Sequence, residues 1–135
     1  MFRQLDDRTL VAGQLQPEDI AAAAAEGVAM IVNNRPDGEE PGQPASAAIE
    51  AAAREAGLGY RHIPVAGGFS QPQVEAMAEA IDACDGALLA FCRSGTRSTY
   101  LWALARAQAG DGAEEIEGKA SQAGYDLAPI RGFLR

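Results

Sequence analysis

Ala87-Leu88-Leu89-Ala90-Phe91-Cys92-Arg93-Ser94-Gly95-Thr96-Arg97-Ser98 is the stretch on which the rest of the chain is read. A short apolar run ends in a cysteine, a compact loop with one glycine and two arginines follows, and a helical pattern runs from Ser98 to Ala109. The order is strand, tight loop, helix. The first-turn amides of a helix lack partners within it, and the macrodipole adds partial positive charge there. A loop wrapped around such an end binds anions. Cys92 stands at its mouth, and the same amides together with Arg97 favour its thiolate, which makes it a candidate nucleophile.

The chain around this stretch has 135 residues, of which 47% are hydrophobic, enough for one domain with a sizeable core. The formal net charge is −8 with no basic stripe, which argues against nucleic acid as a partner. No run of apolar residues is long enough to insert in a membrane. The start, Met1-Phe2-Arg3-Gln4, carries no apolar leader. Cys84 and Cys92 are the two cysteines, too few for a disulfide framework, and a reducing cytoplasm is the expected location. His62 is the single histidine, so no Cys/His cluster has zinc spacing and no metal is expected.

Outward from Cys92, apolar runs and helical patterns alternate. Phe2 to Leu5 and Thr9 to Ala12 read as an edge hairpin around Asp6-Asp7. Pro17 opens a helix that Gly27 stops. Val28 to Val32 is a continuous apolar strand, as expected where both sheet faces are covered. Residues 36–44 hold three prolines and three carboxylates and form a loop at the same edge as the cysteine. Arg35, Asp37, Glu39 and Glu40 are therefore candidates for the rim of the pocket. Ser46 is expected to cap the next helix, Ala47 to Ala56. Tyr60 to Val65 is the following strand, with His62 inside it and expected to orient the cysteine loop. Pro72 opens a helix with Val74, Met77 and Ile81 on its inner face, and Cys84 closes it as a structural residue. A last helix runs from Ala113 to Ala123. Recurring strand–helix pairs predict an α/β domain spanning 1–135, with a central, mainly parallel sheet and helices on both faces.

The residues Cys92 to Ser98 resemble two signatures. One is the rhodanese loop, which encloses a persulfide sulfur. The other is the protein-tyrosine and dual-specificity phosphatase loop, Cys-x5-Arg, of which this chain has a form one residue shorter. Gly13-Gln14-Leu15, Asn33-Asn34-Arg35-Pro36-Asp37-Gly38-Glu39 and His62-Ile63-Pro64-Val65-Ala66-Gly67-Gly68 precede the loop in order. The set is similar to the phosphatase-like domain of the beta-lactamase-hydrolase-like proteins, a bacterial family also described as sulfurtransferases. The resemblance implies a dual-specificity-phosphatase-like fold and a link to sulfide metabolism, with a sulfide-oxidising enzyme as a partner.

Two chemistries follow. In the phosphatase form the thiolate attacks phosphorus, while an Asp on the loop after the preceding strand protonates the leaving group. That loop here is Ala66-Gly67-Gly68-Phe69-Ser70-Gln71, without a carboxylate. Loss of a general acid costs about 100- to 10,000-fold. Sulfur transfer needs no such acid when the leaving group is sulfite or a low-pKa thiolate. The sequence thus favours a rhodanese-like sulfurtransferase passing sulfane sulfur through a Cys92 persulfide, from a small sulfur anion or persulfide donor to a thiol acceptor. The alternatives are a cysteine phosphatase and a non-catalytic sulfur-carrying module. Cys92 and Arg97 are the expected catalytic residues. Arg93, Ser94, Gly95, Thr96, Ser98 and Arg35 are expected to hold the anion, with His62 and Asp37 as supporting candidates. Neither chemistry calls for a cofactor.

Overall fold

Strand β5, Ala87–Phe91, lies at the centre of a five-stranded sheet in a computed structural model that describes residues 2–134. The remaining strands are β1 (Arg3–Gln4), β2 (Thr9–Ala12), β3 (Val28–Asn33) and β4 (Gly59–His62), in the order β1-β2-β5-β3-β4. Strands β2, β5, β3 and β4 run parallel, and β1 pairs antiparallel with β2 at one edge. The helices are α1 (Pro17–Ala25), α2 (Ser46–Glu55), α3 (Gln71–Ala83), α4 (Thr96–Gln108) and α5 (Ala113–Gln122), followed by a 3₁₀ segment, Ala128–Phe133. This is the expected α/β class, with β4 shorter than the apolar run suggested. Among the described residues no helix is long and apolar enough to cross a membrane.

The side-chain alternation of β5 explains why the run reads as continuously apolar. Leu88 and Ala90 face a core built with Met77 and Ile81 of α3, Leu101 and Trp102 of α4, and Ile116 of α5. Leu89 and Phe91 face the opposite core, with Ile20 of α1 and Ile49 and Ala53 of α2. Each fully buried leucine or isoleucine contributes about 1.5–3 kcal/mol, so the two cores fix the level and register of β5. Trp102 is anchored further by its indole N–H, which donates to Asp6 Oδ2 at 3.0 Å.

Strand order sets the position of the candidate site. The chain leaves β2, passes through α1 to β3, moves outward to β4, and then returns to insert β5 between β2 and β3. The loops after β2, β3 and β5 therefore meet at the carboxyl ends of three adjacent strands, the crevice where open α/β sheets take ligands. Two main-chain bonds stitch the edge together: Asn34 N–H donates to Phe91 O at 2.8 Å, and Gln14 N–H to Arg93 O at 3.3 Å.

Candidate active site

The cysteine loop is a single tight turn between strand and helix. Cys92 is fully buried, and its N–H reaches Ala12 O at 3.4 Å. Gly95 adopts φ 90°, a left-handed conformation that glycine takes without penalty, and α4 starts directly after it. The helix thus begins two residues earlier than the Ser98 start expected from the pattern, so Thr96, Arg97 and Ser98 form its first turn. Gly95 N–H donates to Cys92 Sγ at 3.1 Å. The amides of Arg93, Ser94, Thr96, Arg97 and Ser98 have no acceptor among the described residues. Both the N–H and the hydroxyl of Thr99 bind Gly95 O, at 2.9 and 2.8 Å, and lock the turn to the helix. A side chain at Gly95 would collide with the Tyr125 hydroxyl, which itself donates to Ser94 O at 3.2 Å.

Around this turn lies a charge cluster that pairs three arginines with two glutamates. Arg97 Nη1 and Nη2 bind the two oxygens of Glu39 at 2.8 and 2.9 Å, and Nη1 also donates to Val65 O at 2.7 Å. Those bonds use the outer end of the guanidinium. The edge formed by Nε–H and the second N–H of Nη2 is left, and it matches two oxygens of a phosphate or carboxylate. Arg35 is 3% exposed, with Nε on Glu39 at 2.8 Å, Nη1 on Gln14 at 2.9 Å and Nη2 on Glu40 at 2.6 Å. Arg93 lies on the exposed side, with Nε 3.2 Å from Glu40. The Arg97 hydrogen bond, opposed by burial and reinforced by Arg35, holds the Glu39 carboxyl down at about 2. Arg97 in turn is held above its ordinary value, first by Glu39 and, against the cost of burial, by the charge of Cys92.

The structure brings Arg93, Ser94, Gly95, Thr96, Arg97 and Ser98 into one turn around Cys92, yet several side chains do other work than expected. The Ser98 hydroxyl donates to Asn34 Oδ1 at 2.8 Å and ties α4 to the end of β3, while Asn34 Nδ2 donates to Ile63 O at 3.0 Å. The Ser94 hydroxyl donates to Thr96 Oγ1 at 3.1 Å. All three Arg35 nitrogens are engaged, so Arg35 holds Glu39 and Glu40 in place. His62 places Nε2 2.9 Å from Arg35 O and supports the β3 loop, not the cysteine loop. Asp37 accepts from Ser46 N–H at 2.8 Å, so it closes the start of α2, the job expected of Ser46. The Ser46 hydroxyl meets Tyr60 instead, at 2.5 Å. Gln14, Asn34, Thr99 and Tyr125 were not singled out from sequence. Gln14 and Asn34 lie inside the quoted motifs, whereas Tyr125 is far along the chain and carries no local signal.

Comparison with known proteins places this geometry. The family model for the beta-lactamase hydrolase-like protein, phosphatase-like domain, matches residues 1–109. The chain belongs to this family. A beta-lactamase hydrolase-like protein of Xylella fastidiosa (strain Temecula1) is 38% identical over 97% of this chain. The chain spans 31% of that relative's length. A crystal structure of a candidate phosphatase from Neisseria meningitidis is similar with a TM-score of 0.85 and 35% identity, over 98% of this chain and 94% of that one. The kinase associated phosphatase shares the fold alone, with a TM-score of 0.75 at 13% identity over 99% of this chain and 90% of that one. The dual-specificity-phosphatase-like architecture expected from the motifs is therefore the fold of this family member.

These matches overturn the sulfurtransferase reading. The family model and the solved structures are phosphatase-like, and sulfur transfer finds no support among them. From Cys92 to Arg97 the loop is one residue shorter than the phosphatase form, which by itself offers fewer amides to a phosphoryl group. The left-handed turn at Gly95 starts α4 at Thr96, so the acceptor-free amides of Thr96, Arg97 and Ser98 add to those of Arg93 and Ser94. A short loop therefore does not separate the two chemistries.

Proposed function

We propose that this domain is a cysteine-dependent hydrolase of phosphoric esters. The observation that carries the reading is the turn around Cys92: a sulfur that accepts the Gly95 amide, five further amides of the same turn without acceptors, and the open edge of Arg97 close by. A phosphoryl group carries its charge on equatorial oxygens, and donors fixed in advance around those oxygens are the main source of catalysis for such a reaction. In the first step the Cys92 thiolate attacks phosphorus, and the bond from phosphorus to the leaving oxygen breaks with its electron pair on that oxygen. In the second, water attacks the phosphocysteine, the S–P bond breaks, and the thiolate returns as phosphate departs. Arg97 and the amides bind the transferred group throughout. Glu39 fixes the outer end of Arg97 so that its free edge does not have to be ordered during the reaction.

The test is to mix the protein with 4-nitrophenyl phosphate, quench within the first turnover and look for phosphate on Cys92 by mass spectrometry. Phosphocysteine at Cys92, absent from Cys92→Ser, is the expected result. Hydrolysis that persists in Cys92→Ser would remove the cysteine from the reaction.

A further inference from the structure

We infer that this site, if a phosphatase as just proposed, takes substrates whose leaving group departs without a proton: esters of acidic phenols, acyl phosphates and phosphoanhydrides, not alkyl phosphates. The ground is how the acids around the pocket are spent. In a loose phosphoryl-transfer transition state the leaving oxygen carries most of the developing charge. An alkoxide needs a donor that still holds a proton at neutral pH and can reach it.

Three loops and one tyrosine stand around the turn that holds Cys92. The loop after β2, residues 13–16, has no acid. The loop after β4, residues 63–70, has none either. The loop after β3 has three, and each is committed as an acceptor. Asp37 takes the Ser46 amide, Glu39 takes Arg97 and Arg35, and Glu40 takes Arg35 with Arg93 alongside. Glu39, gripped by the Arg97 and Arg35 guanidiniums, is held at about 2 and has no proton to give at neutral pH. His62 directs Nε2 at the Arg35 carbonyl, and Tyr125 spends its hydroxyl on Ser94 O. Asp126, next to Tyr125, accepts the Ala128 amide at 2.9 Å. Among the described residues, each carboxylate of the β3 loop thus accepts a hydrogen bond that holds the cradle, and neither His62 nor Tyr125 turns its bonded proton toward the leaving group. The P–O bond breaks with the electron pair on the leaving oxygen, and the proton that oxygen later takes up comes from water. The same bonds that preorganise Arg97 thereby restrict the substrates to good leaving groups.

The experiment measures kcat/KM for 2,4-dinitrophenyl, 4-nitrophenyl and phenyl phosphate, for acetyl phosphate, and for a phosphoserine peptide. This constant reports the step in which Cys92 takes the phosphoryl group. Expected is a steep fall from dinitrophenyl to phenyl phosphate, about 100-fold or more, the range that a general acid would otherwise supply. Acetyl phosphate should be turned over, the phosphoserine peptide should not, and the rate should not fall on the basic side of the pH profile. Values level within about tenfold across the phenols, with a descending basic limb, would show that a proton donor acts, and would overturn the inference while leaving the phosphatase standing. No turnover of dinitrophenyl phosphate and no phosphocysteine would overturn the phosphatase and the inference with it.

Discussion

Cys84 and Cys92 sit at opposite ends of β5, and both are buried, at 4% and 0% exposure. Their surroundings have opposite polarity. Cys84 closes α3 at the amino end of the strand, with its sulfur 3.4 Å from Gly86 O and 3.5 Å from Ala87 O, and its carbonyl accepts from Arg8. Burial pushes the Cys84 thiol up. Cys92 opens the turn into α4 at the carboxyl end, where its sulfur accepts an amide and Arg97 stands close by. The difference is one of direction. In a parallel strand–helix unit the carboxyl end of a strand meets helix N–H groups, and the amino end meets carbonyls. Residue type and burial are shared, and chain direction alone separates a thiol among acceptors from a sulfur among donors.

The sharpest way to break the comparison is to remove each sulfur. Cys92→Ser should lower phosphate-ester turnover by about 10,000-fold or more, the scale of losing a nucleophile that acts with its partners as a unit. Cys84→Ser should keep turnover within about threefold, since the hydroxyl can donate to the same carbonyls. Equal losses would mean that the polarity of the two ends does not decide function. A smaller effect tests the charge cluster. Arg97→Lys should lower kcat/KM by about 100-fold, because one point charge replaces both the grip on Glu39 and the open edge. Glu39→Gln should cost about tenfold by losing one charge-assisted anchor of Arg97 while keeping a hydrogen-bond acceptor.

The smallest effect is in acid. Glu39 is held at about 2, below its ordinary 4.5, so its ion pairs add stability in full above about pH 4.5 and lose it as the pH falls toward 2. Acid unfolding followed by circular dichroism should therefore be shallower over that range in Glu39→Gln than in the parent. The same slope in both would mean that the pairing with Arg97 and Arg35 does not persist in solution.

How much of this was legible beforehand depends on distance along the chain. The strand, turn and helix at 87–108 are local, so apolar run, glycine and arginines already located the cradle. The helix start two residues earlier was not legible, because the turn at Gly95 is held in part by Tyr125, whose hydroxyl donates to Ser94 O from 31 positions along the chain. The acids of the β3 loop were visible as candidates for the rim, but their tasks were not. Asp37 takes the capping role expected of Ser46 because the loop folds back over the start of α2, a contact across nine positions.

The sequence by itself determined the α/β class, the nucleophile candidate and the loop that holds it, since each rests on periodicity or on residues adjacent in the chain. The tertiary structure alone decided which charges are free. Glu39 and Arg97 are 58 positions apart, and their pairing follows from β5 inserting between β2 and β3. An ion pair acts through space over a few ångströms, whereas sequence pattern reports only neighbours along the chain.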